Sequence, residues 1–225
     1  MIKNLENKVN NYFKKIENKK EFNVPNETVF RLMGNYNYKF KNKNCLDLGI
    51  GHGDNLLEFK RRGANIFGVD IRKNIIKNFI KKNKLNSNNF FYADLNDNFP
   101  FIDKKMNFVI CKDTLYYLTK PQQFKLFKNV YDILDKEGYF LFQYIIAHLK
   151  PKKKNLFGYD LIKDNFKLKK YFKKKNPITF LDDRHIFKLL NSENFKLIDN
   201  TMDICTHVTK KNKFISVNKY FLLMK

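Results

Sequence analysis

One stretch constrains this chain more than any other: Asn44-Cys-Leu-Asp-Leu-Gly-Ile-Gly-His-Gly-Asp-Asn-Leu-Leu-Glu-Phe59. The apolar run from Cys45 to Leu48 reads as a short buried strand, glycines stand at 49, 51 and 53, and an amphipathic helix starts near Asp54. A strand, a glycine turn and a helix together make a cradle for a ligand. Glycine tolerates positive φ and lets a ligand approach the backbone, while the unpaired N–H groups of the helix start face an anionic group. The spacing is G-x-G-x-G rather than the G-x-G-x-x-G of a dinucleotide site, and Asp47 stands two residues before the first glycine. That carboxylate suits a ligand carrying an ammonium and a sulfonium better than a pyrophosphate, whose like charge would be costly so close.

Downstream, strands and helices alternate. Asn65 to Asp70 is a second buried strand ending in an acid, 23 residues beyond Asp47, and Ile75, Ile76, Phe79 and Ile80 mark the helix after it. Phe90 to Ala93 is a third strand followed directly by Asp94, and Met106 to Cys111 a fourth that runs into Lys112, Asp113, Tyr116 and Tyr117. Thr119 with Gln122 forms a capping box, Pro121 lies in the first turn, Phe124, Phe127, Val130 and Leu134 form the inward stripe, and Gly138 is expected to end that helix. Tyr139 to Ile145 is the fifth strand. Such alternation predicts a parallel sheet, with three acids gathered at the edge where ligands of open α/β sheets bind. The end departs from it: Thr179 or Asp182 caps a helix through Leu190, and two apolar strands, about 195–206 and 215–224, follow with no helix between them.

The acid-x-G-x-G-x-G sequence from Asp47 to Gly53, the acids after strands two and three, and the closing hairpin resemble the class I S-adenosylmethionine-dependent methyltransferases. The resemblance covers about residues 43–225, apart from the segment 147–178, and is specific to the superfamily rather than to one activity. It implies an α/β fold: a Rossmann-like, seven-stranded, mostly parallel sheet with helices on both faces and a C-terminal antiparallel hairpin. S-adenosyl-L-methionine is the implied cofactor, held by Asp47, Gly49, Gly51, Gly53, Asp70, Asp94, Leu95 and Cys111. Asp70 is expected to accept hydrogen bonds from two ribose hydroxyls, and Asp94, with the Leu95 N–H, to read the adenine. Asp113 after strand four and His148 after strand five are the candidate bases, and Tyr116 and Tyr117 the candidate acceptor walls. The implied activity is methyl transfer to an O or N atom of a small-molecule acceptor, such as a saccharide or another envelope metabolite that carries anionic groups. An RNA methyltransferase and a non-catalytic protein retaining the fold are the alternatives, although the N-P-P-Y-type motif for base amines is absent from Cys111-Lys-Asp-Thr114.

Residues 1–42 form an N-terminal helical extension, with Leu5, Val9, Tyr12, Phe13 and Ile16 at helical spacing, a break at Pro25, and a second short helix from Asn26 to Met33 ahead of Gly34. In the resembling family such an extension caps the cofactor, which makes Arg31, Tyr36 and Tyr38 pocket candidates against the commoner fate of packing. Segment 147–178, with eleven lysines among Phe157, Tyr159, Phe166, Tyr171 and Phe172, is the expected contributor to the acceptor site.

Composition excludes some classes. The start lacks a signal peptide and no apolar run reaches membrane-helix length, so a cytoplasmic protein is the expectation. Cysteines at 45, 111 and 205 and histidines at 52, 148, 185 and 207 are too scattered for a disulfide framework or a structural metal. The net charge of +23 points to polyanions, but 40 Lys against 5 Arg, with 31 Asn and 3 Ala, is the skew of A- and T-rich coding, and lysine is spread along the whole chain. Nucleic acid is therefore not the expected partner, and the oligomeric state is open.

Overall fold

The computed structural model describes residues 24–95, 99–101, 103–151, 159–162, 183–208 and 213–225. The helix expected over residues 1–21 lies outside them. Among the described residues eight strands form one sheet: β1 (Asn44–Leu48), β2 (Asn65–Asp70), β3 (Phe90–Tyr92), β4 (Met106–Cys111), β5 (Leu134–Pro151), β6 (Tyr159–Ile162), β7 (Lys196–Val208) and β8 (Lys213–Met224). Seven run in the order β3-β2-β1-β4-β5-β8-β7, and short β6 pairs with the far end of β5. The β1–β2, β1–β4, β2–β3 and β4–β5 pairs are parallel, whereas β8 lies antiparallel to both β5 and β7. The mostly parallel sheet with a closing hairpin is the expected one.

Period-two alternation sends successive side chains to opposite faces, and helices cover both. On one face Cys45, Ile66, Phe90, Phe108, Ile110, Leu141 and Leu222 pack against α1 (Glu27–Asn35), α2 (Asp54–Arg61) and α3 (Lys73–Asn83). On the other, Leu46, Leu48, Phe67, Val69, Val109, Cys111, Phe140 and Phe142 meet α4 (Lys120–Ile133) and α5 (Asp183–Leu190). The buried apolar stripes are Val29, Leu32 and Met33 in α1, Leu56 and Phe59 in α2, Ile76 and Phe79 in α3, and Leu126, Phe127, Val130 and Ile133 in α4, where Phe124 of the expected stripe is only partly buried. Phe59 stacks on Phe40 at 4.8 Å between centroids and meets Phe108 edge-on at 5.4 Å.

Three boundaries differ from expectation. Helix α4 ends at Ile133 and extended backbone begins at Leu134, which pairs with Met106, so Gly138 lies within β5 instead of ending the helix. A side chain at 138 would come within 2.9 Å of the Asp135 carbonyl oxygen, which is reason enough for glycine there. Helix α1 passes through Gly34 to Asn35. Strand β5 continues past Ile145 to Pro151, where it pairs with both β6 and β8, so the part of segment 147–178 that is described is strand rather than loop.

Candidate functional site

Strand β1 delivers the chain to the sheet's C-terminal edge, and the glycine turn then folds back onto β2. Gly49 N–H and Ile50 N–H both donate to the Val69 carbonyl, at 2.8 and 3.1 Å, and Gly53 N–H closes the turn onto the Ile50 carbonyl at 2.9 Å. All three glycines have positive φ, from 56° to 95°. Gly49 and Gly53 also fill a steric need: a Cβ at 49 would lie 2.0 Å from Thr114 Oγ1, and one at 53 would lie 2.0 Å from the Phe79 ring. Gly51 borders open space, so a ligand can pass close to its backbone.

The turn opens into a cleft of about 520 Å³. Asp47, Gly49, Gly51, Gly53, Asp70, Asp94, Leu95, Asp113 and Tyr117 all line it, so the three strand-end acids converge on one space. Asp47 is 3 % exposed. Burial lifts its carboxyl well above the usual carboxylate range, Lys112 opposes that, and the like charges of Asp70, Asp113 and Asp54 add to it. Asp70 is already engaged: Oδ2 accepts from Gly51 N–H at 3.0 Å, and Oδ1 accepts from the Arg72 N–H at 2.8 Å and from Arg72 Nε at 3.2 Å. Of the roughly four acceptor positions of a carboxylate, about one is left, where two ribose hydroxyls were expected. At the other end, Asp113 follows β4 in a left-handed conformation (φ 55°), ion-paired with Lys112 and accepting from Tyr116 Oη at 3.2 Å.

Several expected site residues stand elsewhere. Cys111 is fully buried in the cluster under α4 and α5 and does not line the cleft; burial pushes its thiol far above the ordinary value. Its position in β4 sends it to the face away from the glycine turn. Tyr116 is 9 % exposed and turned toward Asp113, leaving Tyr117 as the tyrosine at the cleft. His148 lies in β5 with its backbone paired to Ile162 and Ser216. It stands five residues beyond Gln143, whose side chain contacts the Asp113 backbone. At about 3.3 Å per residue that is roughly 16 Å farther along the strand. Arg31 and Tyr36 are exposed, Tyr36 donating to Asp199 at 2.9 Å, and Tyr38 packs edge-on against Phe40 and Tyr139; none of the three lines the cleft.

Sequence reasoning missed other cleft residues. Val24 to Glu27 form one wall, and Asn26 both caps α1, accepting from Val29 N–H at 3.0 Å, and ties it to α2 by donating its own N–H to Asn55 Oδ1 at 3.0 Å. The cap was legible as Asn ahead of an apolar stripe; the tie to Asn55 was not. Arg72, 5 % exposed, and Thr114 carried no motif. Among the described residues, six carboxylates line the cleft (Glu27, Asp47, Asp54, Asp70, Asp94, Asp113) against Arg72 and Lys112, an acidic lining in a basic chain.

Residues 45–138 match the family model described as a methyltransferase domain. No curated protein matches the chain. Among solved structures, an S-adenosylmethionine-dependent methyltransferase from Clostridium acetobutylicum ATCC 824 superposes with a TM-score of 0.61 at 15% identity, over 96% of this chain and 96% of that one. Magnesium protoporphyrin IX methyltransferase from Synechocystis PCC 6803, solved with bound S-adenosylhomocysteine, gives 0.59 at 16% identity over 88% and 81%. The N-methyltransferase NodS from Bradyrhizobium japonicum WM9 gives 0.54 at 11% identity over 82% and 79%. At these identities the likeness is one of fold. The motif-bearing segment, residues 45–138, therefore matches a methyltransferase domain, and the sheet has the Rossmann-like arrangement of the S-adenosylmethionine-dependent methyltransferase structures named above.

Proposed function

We propose that this protein is an S-adenosylmethionine-dependent methyltransferase acting on an O or N atom of a small-molecule acceptor. The observation that carries this reading is the convergence of Asp47, Asp70 and Asp94 with a glycine turn on one cleft. The residues fit the cofactor: Asp47 is a buried carboxylate short of positive charge, Gly51 leaves backbone room, and the acid excess favours a ligand bearing an ammonium and a sulfonium. The structural neighbours from Synechocystis and Bradyrhizobium, each solved with S-adenosylhomocysteine, support the same ligand.

In this reading the cofactor supplies an activated methyl group together with its own leaving group. Asp70 takes a ribose hydroxyl, and a second one when the Arg72 guanidinium turns aside; Asp94 and the Leu95 N–H take the adenine edge. Asp113 and Tyr117 face the acceptor, orient its lone pair and exclude water, and Asp113 receives the acceptor's proton where one must leave. His148 has no part in this assignment. A polyanionic acceptor is disfavoured because six carboxylates would have to approach its phosphates.

Titration calorimetry with S-adenosylmethionine and, separately, with NAD tests the proposal. Binding of the first and not the second is expected, and Asp70→Ala should weaken it by about 10-fold or more, as for loss of charge-assisted hydrogen bonds. Unchanged affinity in that variant, or preference for NAD, rejects it. Release of S-adenosylhomocysteine in a screen of amine and hydroxyl metabolites then identifies the acceptor.

A further inference from the structure

A chain of polar side chains crosses the otherwise apolar sheet between the Asp113 turn and α1. Asp113 N–H donates to Gln143 Oε1 at 2.9 Å; Gln143 Nε2 donates to Asn218 Oδ1 at 3.0 Å; Asn218 Nδ2 donates to Asp203 Oδ1 at 2.7 Å. Asp203 Oδ2 accepts from Tyr220 Oη at 2.7 Å and from Thr28 Oγ1 of α1 at 3.1 Å, and Asn26 Nδ2 donates to Tyr220 Oη at 3.2 Å. Gln143 is fully buried, and Asn218, Tyr220 and Thr28 are each under a tenth exposed. The direction of this chain is fixed at both ends. A backbone N–H can only donate, which makes Oε1 the acceptor of Gln143, and a carboxylate can only accept, which makes Nδ2 the donor of Asn218. No other orientation of the two amides satisfies all members.

These residues are costly where they are. Strands β5 and β8 could be apolar at 143 and 218, as they are at Leu141 and Leu222 on the same face, unless the polar groups hold something in place. What they hold is known at each end: a non-glycine residue in left-handed conformation at the acceptor end of the cleft, and the capped start of α1, which forms a wall of the same cleft.

We propose that Gln143 and Asn218 are positioning residues that set the posture of Asp113 and couple it, through Asp203 and Tyr220, to the seating of Asn26 and α1. Closure of the N-terminal wall over the cofactor and assembly of the acceptor end are then one event. This rests on the methyltransferase reading for its role in catalysis, but the linkage itself does not require a ligand.

The test is a polarity swap. Asn218→Asp alone sets two carboxylates side by side and breaks the relay. Adding Asp203→Asn moves the charge one step along the chain and restores a donor for every acceptor. By hydrogen exchange on the unliganded protein, Asn218→Asp should speed exchange of the Asp113 amide and of the α1 amides together by at least about 10-fold, as a shared hydrogen-bond network predicts. The swap should return both to within about 3-fold of wild type, and affinity for S-adenosylhomocysteine should follow the same pattern. Should Asn218→Asp fail to fold, Tyr220→Phe deletes one hydroxyl and must still speed exchange at Asp113. Unchanged Asp113 exchange in either variant, or a swap that rescues nothing, overturns the proposal. Lack of cofactor binding by the wild-type protein would instead reject the methyltransferase reading and leave the exchange result to stand by itself.

Discussion

Asp47 is the side chain whose chemistry is most dictated by its surroundings. Burial raises its carboxyl well above the ordinary carboxylate value of 3.8, so over the window between 3.8 and the raised value the folded protein keeps a proton that the unfolded chain has lost. Stability conferred by that proton is fully present below the unfolded value and is lost as pH rises through the folded one. A cationic ligand reverses the balance, because it favours the ionised form, so binding should release a proton and tighten as pH rises through the same window. Asp47→Asn removes the titration while keeping the shape. The unliganded variant should melt at or above the wild-type temperature at pH 8 and show a flatter dependence on pH, while its affinity for S-adenosylmethionine falls by about 10-fold or more. Calorimetric melting at pH 5 and pH 8, with binding measured in buffers of different ionisation enthalpy, checks both halves. A variant less stable than wild type at pH 8 would show that Asp47 is paired within the protein and is not waiting for a ligand. Asp70 and Asp94 stood out because each closes an apolar run, and Asp47 because it interrupts one just ahead of the glycine turn. That Cys111 lies outside the cleft lining was not legible, because the run 108–111 is apolar throughout: a strand buried on both faces has no polar alternation to say which way each residue points.

Element by element, the sequence announced the helices better than their ends. Of the stripes read from spacing, Ile76 and Phe79 in α3 and Phe127 and Val130 in α4 are buried as expected, while in α4 Leu126 and Ile133 take the inward places given to Phe124 and Leu134; the Thr119–Gln122 cap stands as read, with the Thr119 N–H donating to Gln122 Oε1 at 2.7 Å. The end of α4 was masked because Leu134 fits its stripe, and only the pairing of Leu134 with Met106 draws the chain into β5. The same kind of long-range contact joins α4 and α5 to the turn carrying Tyr117. Gln123, fully buried, donates through Nε2 to the carbonyls of Leu115 and Leu118, at 3.1 and 3.0 Å, so its Oε1 must accept, and His185 Nε2, 2.7 Å away, must carry the proton. Neither residue belongs to any motif, and His185 had been one of four scattered histidines. Gln123→Met keeps the volume but strands two buried carbonyls and an imidazole. It should cost on the order of 3 kcal/mol and lower the melting temperature by several degrees. Chemical denaturation of wild type and variant measures this, and a loss under about 1 kcal/mol would mean that water replaces the amide at little expense.

For the whole molecule, alternation of strands and helices was enough to predict the sheet, while the charge could have been read in two ways. A formal charge of +23 would suit a polyanion-binding surface, yet among the described residues the cleft carries six carboxylates against Arg72 and Lys112. The two facts refer to different surfaces and respond differently to salt. Attraction between exposed lysines and a polyanion is counterion release, which should collapse between about 50 and about 200 mM salt, whereas contacts inside a desolvated cleft are screened far less. RNA should therefore bind weakly and with a steep salt dependence, irrespective of sequence, and S-adenosylhomocysteine should bind nearly as well at the higher salt as at the lower. The two should also bind independently. If the lysines served an RNA acceptor, the reacting nucleotide would have to enter the cleft beside Asp113, and Asp113→Asn would then change RNA affinity or its dependence on cofactor. Filter binding of RNA at both salt concentrations, with and without saturating S-adenosylhomocysteine, in wild type and Asp113→Asn, separates the cases. Four superimposable salt curves are expected for a small-molecule enzyme in a basic coat. Curves that split on adding cofactor would put the polynucleotide at the active edge and replace the small-molecule acceptor with RNA.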